Sequence, residues 1–77
     1  MPVSGIVVTC VAASAESVAL QLAEVKGVEV HGVLADGRIV AVVEADTVDG
    51  EVALVSRLDD IEGVVSVQLA YHNFEQL

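Results

Sequence analysis

Leu22-Ala23-Glu24-Val25-Lys26-Gly27-Val28 returns 36 residues later as Leu58-Asp59-Asp60-Ile61-Glu62-Gly63-Val64. Each copy ends on an aliphatic, a charged residue and a glycine, and then opens a new apolar run on valine. The glycine reads as a helix stop, because it enters the left-handed region without a Cβ clash. Upstream of the first copy, Val18, Leu22 and Val25 recur at i, i+4 and i+7 while Gln21 and Glu24 face away, which predicts an amphipathic helix. Ser14 is placed to cap it, with Glu16 set against the dipole in the first turn. In the second copy Leu54, Leu58 and Ile61, with Val55 beside them, form the equivalent stripe; Asp46 or Thr47 caps, and Asp49 and Glu51 fill the first turn.

Strands flank both helices. Apolar runs at residues 4–12, 28–34, 39–45 and 64–72 are short and valine-rich, and Asp36-Gly37 between the second and third marks a tight hairpin. The order strand, helix, strand, strand, helix, strand is two split β-α-β units sharing one antiparallel sheet. That is the α+β ferredoxin-like arrangement βαββαβ, four strands with two helices on one face. Residues 1–77 form a single domain in this reading, with residues 73–77 as a short frayed tail.

Composition agrees with a folded domain and narrows its partners. The chain is 55% hydrophobic and 19% charged, too apolar for a disordered segment. A domain of this size buries only about 60–65% of its unfolded surface, so it needs that dense core. Twelve acids oppose three bases (Lys26, Arg38, Arg57), for a net charge of -9. Such a surface repels nucleic-acid phosphates and anionic lipid, and only Tyr71 and Phe74 are available to stack on bases. A cationic partner remains open, although acidic surfaces often serve solubility alone. The apolar start has no base before Lys26 and is too short to span a bilayer, so neither a secretory leader nor membrane insertion is expected, and the cytoplasm is the expected location. Cys10 is the single cysteine, so no internal disulfide can form.

Two helices on one face leave the other face bare, and period-two alternation assigns residues to it. Glu44 and Asp46 should point outward, with Val40 and Val42; then Val7, Thr9 and Val11 from the first strand, His31 and Val33 from the second, and Ser66, Gln68, Ala70 and His72 from the fourth. Ile6, Val8 and Cys10 go to the core. An open, largely apolar face marks a protein partner or pairing with a second copy, so the chain is expected to be a monomer or a weak homodimer.

Catalytic and cofactor readings find little support. His31 and His72 come from different strands with no cysteine near, so metal binding is not expected. Cys10 among aliphatics has no Cys-x-x-Cys partner and reads as a small hydrophobe. The loop Ala12-Ala13-Ser14-Ala15 offers neither arginine nor glycine to cradle a phosphate, and no nucleophile–base pair is present. Neither an enzyme nor a cofactor is expected. The alternative is an ACT-like regulatory domain binding a small molecule as a homodimer, although the same loop lacks the glycine such domains use.

Three segments carry a family resemblance: Gly27-Val28-Glu29-Val30-His31, Gly37 through Ala45, and Ile61 through His72, with Gly63-Val64 and Leu69-Ala70-Tyr71-His72 the most specific, and Glu75 after them. Together with Ile6-Val7-Val8 they make the chain resemble the NapD family along essentially its whole length. Lys26 and Ala70 depart from the family pattern, which commonly has proline and valine there. The resemblance implies a cytoplasmic chaperone that binds the twin-arginine signal peptide of the periplasmic nitrate reductase catalytic subunit and delays export until the cofactor is inserted. Guanidinium groups pair bidentately with carboxylates, so Glu44 is the first candidate partner for an arginine, with Asp46, Glu29 and Asp36 next.

Overall fold

The computed structural model describes residues 2–74 and the side chains of residues 3–70. Its elements are β1 (Pro2–Cys10), a 3-10 turn (Ala12–Ser14), α1 (Ala15–Ala23), β2 (Val28–Val33), β3 (Arg38–Glu44), α2 (Val48–Asp59) and β4 (Val64–Phe74). The four strands form one sheet in the order β2-β3-β1-β4, every neighbouring pair antiparallel. This is the ferredoxin-like arrangement expected from element order. β4 continues to Phe74, two residues beyond its expected end, while β1 stops at Cys10. Residues 75–77 of the expected tail lie outside the described residues.

The core lies between the sheet and the two helices. Ile6, Val8 and Cys10 of β1 and Ile39, Ala41 and Val43 of β3 meet Val18 and Leu22 of α1 and Leu54 and Leu58 of α2, all buried. Alternation along β3 is strict: those three residues point to the helices, while Val40, Val42 and Glu44 point away.

The sequence repeat becomes a repeated piece of backbone, but not the one expected. α1 ends at Ala23 and α2 at Asp59, each finished by 3-10 hydrogen bonds, Val25 N–H to Leu22 O and Ile61 N–H to Leu58 O. Gly27 and Gly63 come later. Each is third in a four-residue turn closed by Val28 N–H to Val25 O or Val64 N–H to Ile61 O, both 3.1 Å, with φ near +91° and +98°. Glycine is thus demanded by the turn into the next strand, where the third position needs a positive φ.

The caps also differ. Thr47 caps α2, its Oγ1 accepting from Gly50 N–H at 3.0 Å. Ser14 makes no such bond: its backbone is already in the helical region, and the 3-10 turn before α1 bonds Ser14 N–H to Val11 O and Ala15 N–H to Ala12 O. Glu51, expected only to fill the first turn of the helix, is 3% exposed: its Oε1 accepts a hydrogen bond from the buried Ser4 Oγ. Only tertiary packing brings α2 over β1 at that point.

Candidate functional site

The face opposite the helices can be built row by row from the strand register. One row runs Gln68, Val7, Val40, Gly32 across β4, β1, β3 and β2; the next along β3 holds Gly5, Val42 and Glu29; Glu44 stands opposite Val3 beyond them. At the other end Ser66, Thr9 and Arg38 form a polar row. Val7, Thr9, Val42 and Ser66 are half-buried and Val40, Glu44, Gln68 and Ala70 exposed. Eight expected face residues therefore share one surface.

Two β-bulges move others. In β2, His31 is an extra residue between the pairs Val30–Ala41 and Gly32–Val40. The period breaks there, so Val33 pairs with buried Ile39 and belongs to the helix-covered side, against expectation. His31 stays on the open face, its Nε2 3.6 Å from Glu29 Oε2. In β4, Ala70 is the extra residue between Leu69–Ile6 and Tyr71–Gly5. His72 then pairs with Ser4, on the helix side of β1, rather than continuing the row through Ser66 and Gln68; its side chain lies outside the described residues. Val11 is exposed but lies beyond the strand end, where its N–H donates to Gly63 O at 3.1 Å.

The same register reveals members that alternation in the sequence did not single out as a group. Gly5, His31, Val40, Val42 and Ala70 surround an apolar depression of about 210 Å3 in the middle of the open face. Beside it, Gly27, Val28, Glu29, Val42 and Glu44 line a second hollow of about 240 Å3, which brings two of the four candidate carboxylates together. Among the described residues no lysine or arginine lies within ion-pair distance of Glu44 or Glu29. Asp46 lies past the strand end, in a groove that also holds Glu44, Lys26 and Arg57. Asp36 is already engaged: its Oδ1 accepts from Arg38 N–H at 3.2 Å and its Oδ2 from Arg38 Nε at 2.8 Å. Those bonds, the backbone one foremost, hold its carboxyl below the usual range.

Cys10 is buried and donates to Gly37 O at 2.9 Å, and burial pushes its thiol up, away from the reactive thiolate. Among the described residues no group of three His, Cys, Asp or Glu is placed to hold a metal, and no helix is long and apolar enough to cross a membrane.

A family model described as NapD protein matches residues 1–76. The solution structure of the E. coli Tat proofreading chaperone protein NapD matches with a TM-score of 0.86 and 29% sequence identity, covering 96% of this chain and 79% of that one. No curated protein sequence gives a significant match.

Proposed function

Because the chain belongs to the NapD family, we propose that it is a cytoplasmic, non-catalytic chaperone that binds the twin-arginine signal peptide of a periplasmic nitrate reductase catalytic subunit. By covering that peptide it delays export of the precursor until cofactor insertion and folding are complete. The likeness to a structure named a Tat proofreading chaperone supports this reading. The geometric observation that carries it is the open face, where Glu44 and Glu29 stand at one end of an apolar surface made by Val7, Val40, Val42 and Ala70. A twin-arginine peptide presents the complement, two guanidinium groups followed by an apolar run. A desolvated arginine–carboxylate bond contributes about 1.5–3 kcal/mol, whereas a rim-exposed pair adds well under about 1 kcal/mol. The acids therefore contribute strongly only where the bound peptide shields them from water, and the apolar surface covers the run that follows the arginines. Nothing in the fold favours the ACT-like alternative, since the loop after β1 is a glycine-free 3-10 turn.

Calorimetric titration with the signal peptide and its Lys-Lys counterpart tests the reading. Lysine keeps the charge but loses the bidentate fork, so the Lys-Lys peptide should bind about tenfold more weakly. Val42→Asp should abolish binding, and Glu44→Gln should reduce both the affinity and the preference for arginine. Equal affinity for the two peptides removes the carboxylates from the account, and full affinity in Val42→Asp removes the open face.

A further inference from the structure

Among the described side chains, those around the middle of the open face are small. Gly5 has no side chain and Ala70 only a methyl, while Val40, Val42 and His31 stand as walls around about 210 Å3. An apolar cavity of about 150 Å3 is enough to take a benzene-sized guest. Val42 also lines the acidic hollow with Glu29 and Glu44, so the two sites share a wall. At the opposite end of β3, Arg38 is bound to Asp36. At the Glu29–Glu44 end, Lys26 and Arg57 share a neighbouring groove with Glu44, but among the described residues neither lies within ion-pair distance of Glu29 or Glu44, and the hollow these two acids line holds no base.

We infer that the central depression is a subsite for one large apolar side chain, leucine or phenylalanine, of an arginine-bearing peptide whose cationic end lies over Glu29 and Glu44. This rests on the peptide-binding reading above and adds a register and a direction to it. Charge complementarity selects the occupant. A second copy, itself at -9, would set acids against acids, and an anionic lipid surface would be repelled in the same way. Position along β3 fixes the spacing: Glu44 lies three residues beyond the middle of the depression at Ala41, about 10 Å at the rise of a strand. An extended peptide covers that distance in about three residues and a helical one in about seven.

The probe is a twin-arginine peptide in an alanine–serine host, with a single phenylalanine moved one residue at a time away from the arginines. With the wild-type protein, affinity should peak at one spacing, about tenfold above the host without phenylalanine. Ala70→Leu fills the depression from an exposed position, and Val40→Phe fills it from the opposite wall. Both should flatten the scan while the preference for Arg-Arg over Lys-Lys persists, with amide spectra checking that each variant is folded. An unchanged peak in the two filled variants, or a wild-type scan with no preferred position but intact arginine preference, overturns the subsite and leaves the peptide-binding reading standing. If no twin-arginine peptide binds the wild-type protein, both fall together.

Discussion

Gly37 shows how much one residue can be asked to do. It closes the hairpin between β2 and β3 with φ near +92°, its N–H bonded to Leu34 O and flanked by Leu34 N–H to Arg38 O. A Cβ at that position would also stand 3.1 Å from Cys10 O and from Ala12 Cα, both backbone atoms that cannot step aside. Gly37→Ala should therefore cost about 2–3 kcal/mol in chemical denaturation, from left-handed strain plus the clash. Gly32→Ala is the control: it has open space around its missing Cβ, and the change should stay within about 0.5 kcal/mol. A similar loss in both would mean that the close approach at Gly37 is not what matters. The buried Ser4–Glu51 hydrogen bond is the other residue-scale fact of consequence. It ties the first turn of α2 to β1 beneath the open face, from a glutamate whose position in sequence suggested only a helix-dipole role.

At the scale of elements, the two halves reach the same backbone by different starts. α2 begins at a capping threonine, whereas α1 grows out of a 3-10 turn whose backbone bonds do the capping. Thr47→Ala should thus lower stability by about 1 kcal/mol, while Ser14→Ala leaves the melting temperature nearly unchanged. Reversed outcomes would contradict the hydrogen-bond assignment. The strands carry the more telling difference. Bulges at His31 and Ala70 change which residues share a face, and the same bulges place His31 and Ala70 around the central depression. An unpaired extra residue bends its strand and re-aims the side chains beside it.

For the whole molecule, charge governs the approach of a partner. Three bases against twelve acids give a field that draws a cationic peptide in from solution, and that part of recognition is screened by salt. Stopped-flow measurements should show association with the twin-arginine peptide slowing at least several-fold between low and physiological ionic strength, with dissociation changing far less. A salt-independent association rate would confine electrostatics to local contacts at Glu29 and Glu44.

The element order, the helix-facing residues Ile6, Val8, Val18, Leu22, Leu54 and Leu58, and most of the open face were legible because they follow from periods of 2 and 3.6 that any buried face imposes. The 36-residue repeat likewise announced two equivalent pieces of backbone, although its glycines serve the turns into β2 and β4 rather than stopping the helices. Three things were decided only by folding. Val33 changed sides, and His72 took a different register partner, because a bulge is chosen by how four strands pair, and no local signal marks it. Glu51 went inside because α2 crosses β1 where Ser4 can meet its carboxylate. The pairing of Glu29 with Glu44, 15 positions apart in sequence, exists only because β2 lies against β3. Periodicity specifies which way a residue points within its own element; strand register, a property of the assembled sheet, specifies what it stands beside.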